Sequence, residues 1–257
     1  MEFDGKVVLV TGAAGGIGEG LVRRWAGRGA HVVVADVDER GAEVAADVDG
    51  VFVRCDVRDP AASERAVATA VDRFGGLDVA VLNAGIATGF GLGEDFDVDR
   101  YRAVMGVNLD GVVYGVHAAI PALRARGGGH LLATASMAGL MPMPMDPLYG
   151  ANKAAVVALV RALGPVLEGE RIAVNAVCPS FADTGIITGV KDALESAGMP
   201  ILTVEAVVDA FDRAVDSGRT GECWWVQSGR PSEPFAFRNP PGPRSPDGGR
   251  LSVEPLD

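Results

Sequence analysis

The chain has 257 residues and a formal net charge of −11, a length that suits one large domain or two small ones. The acidic balance, without any run of lysines and arginines, argues against a nucleic-acid partner. No uninterrupted apolar stretch is long enough to span a bilayer, and no secretory signal precedes the first strand, so we expect a cytoplasmic protein without a membrane partner.

Short apolar runs alternate with helix-length segments along most of the chain. The predicted strands span residues 6–11, 31–36, 51–56, 78–85, 130–136, 171–179 and 223–227. Most of them are apolar on consecutive positions, which is typical of strands covered on both faces. Helical segments such as 61–74 and 154–167 lie between them. This alternation predicts a single α/β domain over residues 1–227, a doubly wound, Rossmann-type parallel sheet of about seven strands with helices on both faces.

The first predicted strand runs directly into a glycine loop, TGAAGGIG, at residues 11–18. Small residues let the backbone approach a pyrophosphate, and the amides that begin the next helix attract its charge. The position between a strand and a helix favours dinucleotide binding over an ordinary turn. The predicted cofactor contacts in this loop are Gly12, Gly16, Ile17 and Gly18.

A carboxylate ends the second predicted strand. Asp36 lies eighteen residues after Gly18, where it can accept hydrogen bonds from a ribose diol and repel the extra phosphate of NADP. No lysine or arginine lies between Thr11 and Arg23, and Val37 follows Asp36, so cations for that phosphate are lacking nearby in sequence. The sequence therefore predicts NAD as the cofactor, and the alternative is a solvated acid at a strand end.

Tyr149 and Lys153 are four residues apart in a predicted helix and so share one of its faces. A phenol is a poor base at neutral pH, but a nearby ammonium favours the phenolate. Such a pair can take a proton from an alcohol as hydride leaves its carbon. Ser136, at the end of the preceding strand, can hold the substrate oxygen. The alternative is a surface pair, because Y-x-x-x-K is common.

Taken together, these features resemble the classical short-chain dehydrogenase/reductase family over nearly all of residues 4–227. The resemblance is carried by TGAAGGIG (11–18), CDV (55–57), NAG (83–85), Asn108, Ser136 and YGANK (149–153). It implies that Tyr149 is the catalytic acid/base, that Ser136 positions the substrate oxygen, and that Lys153 binds the nicotinamide ribose and lowers the tyrosine pKa. Asn108 would hold a water that links Lys153 to solvent. The further implied cofactor contacts are Asp56, Val57, Asn83, Ala84, Gly85, Pro179 and Thr184.

The chain departs from the family after Pro179, where Ser180 stands in place of the usual glycine. A side chain at this position lies where the family's backbone passes near nicotinamide. We expect cofactor binding to survive the change.

The segment that joins Ser136 to Tyr149 contains four methionines and three prolines. We expect some of these methionines to pack beneath the loop and others to give the substrate pocket an adaptable apolar lining. The predicted substrate contacts are Ser136, Met137, Met143, Asp146 and Tyr149. By the resemblance, a lid spans about 184–202, and its apolar residues favour a lipophilic substrate.

Two segments, AGLMP (138–142) and CPSFADTGI (178–186), are similar to NAD-linked prostaglandin dehydrogenases. The substrate-contacting glutamine of those enzymes falls at Asp146, and a carboxylate there argues against prostaglandin itself. A bulky secondary alcohol or its ketone is the predicted substrate class. The alternatives are an NADPH-dependent carbonyl reductase, which Asp36 disfavours, and a non-catalytic NAD-binding regulator, which the intact Ser136, Tyr149 and Lys153 disfavour.

The family resemblance also implies a homotetramer or homodimer that pairs through two long helices near 101–126 and 149–168. Residues 228–257 form a Pro/Gly-rich tail that is either flexible or laid along its own or a neighbouring subunit. Cys55, Cys178 and Cys223 are predicted to be reduced, mostly buried thiols. Spacing alone builds no metal site from them and the three histidines.

Overall fold

The computed structural model describes residues 1–87 and 92–238. The strands in chain order are β1 (Val7–Thr11), β2 (His31–Asp36), β3 (Val51–Arg54), β4 (Val79–Leu82), β5 (Gly129–Thr134), β6 (Ile172–Pro179), β7 (Cys223–Val226) and β8 (Glu233–Pro234). The helices are α1 (Gly16–Ala26), α2 (Arg40–Asp47), α3 (Pro60–Phe74), α4 (Val98–Met105), α5 (Gly111–Arg126), α6 (Pro147–Leu167), α7 (Lys191–Ser196) and α8 (Val204–Asp216). A π turn, Gly106–Asp110, joins α4 to α5.

The strands form one sheet in the order β3-β2-β1-β4-β5-β6-β7-β8. The first seven strands in this chain are parallel, and β8 alone pairs antiparallel, with β7. The predicted doubly wound architecture is confirmed, and each of the seven predicted strands is present. The strand order reverses between β1 and β4, which places a crevice at the carboxyl ends of these strands.

Both faces of the sheet are covered, which explains why the strands are apolar on consecutive positions. Within β1, Val7 and Leu9 belong to the core beneath α3, α5 and α6, whereas Val8 and Val10 belong to the core beneath α1, α2 and α8. All five residues of β1 are buried. The strand at the centre of the sheet is therefore rigidly packed, and it carries the glycine loop at its end.

Two long helical stretches, which contain α5 and α6, cover the same face of the sheet. By length and composition alone, Val98–Arg126 and Pro147–Glu170 could each cross a bilayer. Both, however, pack against the sheet of this domain, where residues such as Val112, Leu123 and Val156 are almost completely buried. Packing within the domain thus accounts for part of their apolar character.

The beginning of the predicted tail lies along its own subunit. Residues of β8 pair with Trp224 and Trp225 of β7, and the backbone N–H of Phe235 donates to the carbonyl of Cys223 at 2.8 Å. The guanidinium of Arg161 on α6 then lies 3.7 Å from the centre of the Phe237 ring. The remainder of the tail, 239–257, falls outside the described residues. All three cysteines are free and buried, as predicted.

Candidate active site

The glycine loop between β1 and α1 is shaped so that only glycine fits at two of its positions. Gly12 has φ +64°, and a Cβ there would lie 2.7 Å from the Cα of Ala84. A Cβ on Gly18 would lie 2.2 Å from the carbonyl oxygen of Gly12. Helix α1 begins at Gly16, and Gly15 before it has no side chain to cap the first amides. The loop therefore leaves a cradle of backbone N–H groups that fits a pyrophosphate.

Asn83 fastens this loop to the middle of the sheet. Its Nδ2 donates to the carbonyls of Thr11 and Gly12, each at 3.1 Å, and its Oδ1 accepts from the Thr134 hydroxyl at 2.8 Å. The side-chain amide of Asn83 is therefore engaged by hydrogen bonds within the protein. The family resemblance predicted that Asn83 lines the cofactor cleft, and in the structure its side chain supports the wall of that cleft. The following residues, Ala84 and Gly85, are half-buried at the floor of the same crevice.

Asp36 lies beside the glycine loop, as its spacing predicted. Its Oδ2 accepts from the backbone N–H of Ala14 at 2.9 Å, and its Oδ1 accepts from that of Asp38 at 3.0 Å. The structure also brings a cation here that the sequence argument missed. Arg40, the first residue of α2, donates to the carbonyl of Ala14 at 2.8 Å. The inference that no cation lies near Asp36 is therefore wrong, because the fold returns α2 to the loop.

Asp56 and Val57 follow β3 at the same edge of the sheet. Arg58 binds the Asp56 carboxylate, with Nη2 2.7 Å from Oδ2, and holds the pKa of this carboxyl below its usual value. The side chain of Val57 is buried, and a Cβ on Gly111 would lie only 2.7 Å from its Cγ2. Any contact of Val57 with adenine would thus be made by its backbone.

Ser136 and Tyr149 meet where the loop after β5 returns to α6. The Ser136 Oγ accepts from the backbone N–H of Ala138 at 3.1 Å and donates to the carbonyl of Pro179 at 3.4 Å. Burial raises the pKa of Tyr149 to about 12, and a hydrogen bond with Ser136 opposes this rise. The two predicted catalytic hydroxyls therefore lie near each other.

Lys153 lies one helical turn beyond Tyr149 and is 2 % exposed. Its Nζ donates to the carbonyl of Thr134 at 2.8 Å and lies 5.8 Å from the centre of the Tyr149 ring. Burial lowers the pKa of Lys153 to about 8. Burial of the phenol is the largest influence on the Tyr149 pKa here, so the lowering of this pKa by Lys153 stays a prediction.

Asn108 occupies the π turn between α4 and α5 and is completely buried. Its Oδ1 accepts from the backbone N–H of Ile86 at 2.8 Å, and its Nδ2 donates to the carbonyl of Ile86 at 2.9 Å. A Cβ built on Gly85 would lie 3.5 Å from this Oδ1 and 3.7 Å from the Nζ of Lys153. Asn108 is therefore close to Lys153, but its side chain is engaged by the segment after β4.

The residues after β6 close the crevice from the other side. Ser180 has no positive φ, so the position does not demand the glycine that the family usually has, and its N–H donates to Val226 at 3.0 Å. The γ-methyl of Thr184 lies against the glycine loop, 3.1 Å from the place of a Cβ on Gly16. The start of the predicted lid thus touches the glycine loop.

The methionine loop forms one wall of the crevice. Met137 and Met143 are half-buried, whereas Met141 and Met145 are 55 % and 68 % exposed. The Oδ1 of Asp146 accepts from the backbone N–H of Tyr149 at 3.0 Å, so this carboxylate caps α6. Asp146 was predicted as a substrate contact, and the structure gives it the additional role of fixing the helix start that carries Tyr149.

The predicted lid folds back on the domain. Ile187, Leu194 and Leu202 are buried, and a parallel bridge joins Ala182 to Leu202 at its base. Three large apolar side chains of the lid remain at least two-fifths exposed: Ile186, Val190 and Met199. In the two described stretches of the chain, no group of three or more His, Cys, Asp or Glu residues could hold a metal ion.

Comparison with known families agrees with this geometry. Residues 6–195 match the family model described as short chain dehydrogenase. The chain belongs to the short-chain dehydrogenase family. The resemblance drawn from its motifs is thereby confirmed.

Two dehydrogenases are more than a third identical to the chain over the residues that they match. The chain is 37 % identical over 193 residues to meso-2,3-butanediol dehydrogenase of Serratia marcescens, covering 74 % of this chain and 76 % of that one. It is 36 % identical over 212 residues to 3-alpha-(or 20-beta)-hydroxysteroid dehydrogenase of Mycobacterium bovis, covering 79 % and 81 %. A solved 3-ketoacyl-(acyl-carrier-protein) reductase of Brucella melitensis, complexed with NADH, superimposes with a TM-score of 0.81 at 30 % identity and covers 89 % of this chain and 99 % of its own.

Proposed function

We propose that this short-chain dehydrogenase interconverts a lipophilic secondary alcohol and its ketone with NAD(H). The observation that carries the proposal is the proximity of Ser136 to Tyr149, one helical turn before the buried Lys153, beside a loop whose glycines leave room for a pyrophosphate. When bound, a nicotinamide cofactor would accept or supply the hydride. It would be held by the glycine loop, by Asp36 and by the segment at Thr184.

The protein side chains would handle the proton and the substrate oxygen. The Tyr149 phenolate would take the proton of the alcohol during oxidation, and the Tyr149 hydroxyl would give a proton to the ketone oxygen during reduction. Ser136, which lies near Tyr149, would hold the substrate oxygen between the two hydroxyls. The ammonium of Lys153, anchored on Thr134, would stabilise the phenolate once it forms.

The Asp36 carboxylate supports NAD over NADP. A ribose diol can replace backbone partners of this carboxylate, whereas a phosphate there would meet a negative charge. One observation favours the NADPH-dependent alternative: Arg40 places a guanidinium on Ala14, next to the same ribose position. We rank NAD first because the carboxylate lies at the end of β2 and is itself directed at the loop.

The pocket wall supports a lipophilic substrate. Half-buried methionines follow Ser136, and the lid contributes exposed apolar side chains such as Ile186 and Met199. The compared relatives are named for a small diol and for a hydroxysteroid. A bulky or cyclic secondary alcohol that fits between loop and lid is therefore the proposed substrate class.

The proposed setting is the cytoplasm, where buried cysteines remain reduced, and the proposed assembly is a homodimer or homotetramer. Val113 and Val166 are exposed apolar side chains on the two long helices, which the family resemblance pairs across a subunit interface.

The test is oxidation of a panel of secondary alcohols, followed through the absorbance of the reduced cofactor. The panel would contain butane-2,3-diol, cyclohexanol and a hydroxysteroid, each with NAD⁺ and with NADP⁺. We expect turnover with at least one cyclic alcohol and NAD⁺, abolished by Tyr149→Phe. If protein that binds NADH neither oxidised any alcohol of the panel nor reduced the corresponding ketones, the non-catalytic regulator would be favoured.

A further inference from the structure

A buried amide lies between the two residues of the tyrosine–lysine pair. Asn152 is 1 % exposed and occupies the turn of α6 that connects Tyr149 to Lys153. Its Nδ2 donates to the Sδ of Met105 at 3.2 Å, and its Oδ1 is buried without a partner among the described residues. A buried acceptor that lacks a partner opposes folding. Leucine has a similar volume and would fill this place without such a cost, so the amide calls for an explanation beyond packing.

The partner of Asn152 is the residue at which the regular helix ends. Met105 is the last residue of α4 and directly precedes the π turn Gly106–Asp110. Single π turns inside helices recur at functional sites, and they open the regular ladder of backbone hydrogen bonds. The hydrogen bond from Asn152 on α6 to Met105 therefore fixes the position of this turn relative to α6.

The π turn leads directly to the environment of Lys153. It carries Asn108, whose amide holds both backbone groups of Ile86. A Cβ built on the neighbouring Gly85 would lie 3.5 Å from the Asn108 Oδ1 and 3.7 Å from the Lys153 Nζ. The connection from Asn152 through Met105 and the π turn thus leads to the surroundings of Lys153, the residue that follows Asn152 on α6.

We propose that Asn152 is a positioning residue, which through Met105 holds the π turn and Asn108 in place beside Lys153. The proposal rests on the proposed function for its effect on turnover, but its structural step can be measured without any substrate. Asn152 need not touch substrate or cofactor. Asn152 would act by keeping the π turn at a fixed distance from α6.

The test compares Asn152→Leu, Met105→Leu and the double variant, all of nearly conserved volume. Asn175→Leu is the matched control, since Asn175 is a fully buried amide on β6 that bonds to Arg219 and Glu222. Hydrogen exchange of the amides at 106–111 would be followed by mass spectrometry in the presence of NADH. For each variant, kcat and its pH profile would be measured with the alcohol that the native protein oxidises.

We expect Asn152→Leu to speed exchange in the π turn and to lower kcat by about tenfold, a loss in the range of coupling between contacting side chains. The Kd for NADH should change little, and the pH profile should shift. Met105→Leu should act similarly, and the double variant should be no worse than either single one. Asn175→Leu should leave the π turn unchanged.

Unchanged exchange in Asn152→Leu would overturn the proposal, as would faster exchange with an unaltered kcat and pH profile. Additive losses in the double variant would show that Asn152 does not act through Met105 and would also overturn it. If the native protein oxidised no alcohol, the proposed function would be contradicted while the exchange data would still decide the positioning of the π turn.

Discussion

The carboxylate of Asp36 accepts a hydrogen bond of 2.9 Å from the backbone N–H of Ala14, so the end of β2 is tied to the glycine loop. Arg40 donates to the carbonyl of the same alanine at 2.8 Å. A carboxylate and a guanidinium therefore bind the two backbone groups of one loop residue, Ala14. The free ribose diol of NAD would hydrogen-bond the Asp36 carboxylate, whereas the ribose phosphate of NADP would be attracted by the Arg40 guanidinium.

Replacement of Asp36 should therefore reverse the cofactor preference. In Asp36→Ala the Kd for NADH should rise about tenfold or more, because a hydrogen bond to a charged group is lost. The Kd for NADPH should fall, because the repulsion is removed and Arg40 remains. Fluorescence titration with both reduced cofactors measures the ratio. Asp38→Ala removes a neighbouring carboxylate and serves as control, and a native protein that binds NADPH as tightly as NADH would refute the NAD assignment.

Tyr149→Phe removes only a hydroxyl and should abolish proton transfer. We expect kcat to fall at least ~100-fold, the lower end for a lost general acid or base. Binding of NADH should be nearly unchanged, since the ring and the packing of α6 are retained. Tyr114→Phe on α5 is the matched control and should keep full turnover. Near-native kcat in Tyr149→Phe would exclude this residue as the acid/base.

The buried ammonium of Lys153 should make stability depend on pH. Its pKa falls from 10.5 in the unfolded chain to about 8 in the folded protein, so between these values the unfolded state binds more protons and stability rises with pH. The native protein should gain about 2 kcal/mol relative to Lys153→Met between pH 7 and pH 10 by this linkage.

Urea denaturation of both proteins across this range measures the difference. Tyr149 acts in the opposite direction above pH 10, because its raised pKa lets the folded state retain the proton longer. A stability difference that is flat from pH 7 to pH 10 would show that Lys153 titrates normally.

The glycine loop should tolerate no side chain at Gly18. In Gly18→Ala a methyl group would meet backbone atoms of the loop, including the Gly12 oxygen at 2.2 Å, so the cradle must distort. We expect the Kd for NADH to rise about tenfold or more and stability to fall by about 1–3 kcal/mol. Gly169→Ala is the control, because nothing lies within 4 Å of a Cβ there. If Gly18→Ala bound NADH with native affinity, the glycine loop would not be part of the cofactor site.

The exposed side of α6 should mediate self-association. It is lined by small side chains that allow a second helix to approach closely: Ala151, Ala154, Ala158 and Ala162. Light scattering at micromolar concentration should give two or four times the chain mass of 26.5 kDa. Ala158→Arg should yield a folded monomer, whereas Ala68→Arg on the exposed side of α3 should not alter the mass. A native particle near the chain mass would contradict the prediction.

The seven parallel strands were predictable because a strand covered on both faces leaves a continuous apolar run. The same holds for the glycine loop and for the tyrosine–lysine pair, whose spacing in sequence sets their relation in space. The cap at Asp146 was also within reach, since an aspartate directly before a proline is a common helix start. The role of Asp146 as a substrate contact, which comes from the family pattern, stays a prediction.

Other features depend on contacts between distant segments. Nothing in the sequence near Asp36 shows that Arg40 returns to Ala14, because that contact is made by the turn into α2. The π turn at Gly106–Asp110 has no residue pattern that distinguishes it from the helices on either side. Strand β8 is only two residues long and lies in a proline-rich segment, so it forms only because β7 offers a free edge.

The pairing of β8 with β7 also bears on how the chain avoids aggregation. Without β8, the strand Cys223–Val226 would end the sheet with open hydrogen-bonding groups and two tryptophans. Exposed apolar edges of this kind recruit strands from other molecules. The proline at the end of β8 lacks an N–H, so the added strand offers a poorer template than the one it covers. The first residues of the tail thus act as a cover for the sheet edge, and a chain shortened after Val226 should be less soluble for reasons unrelated to catalysis.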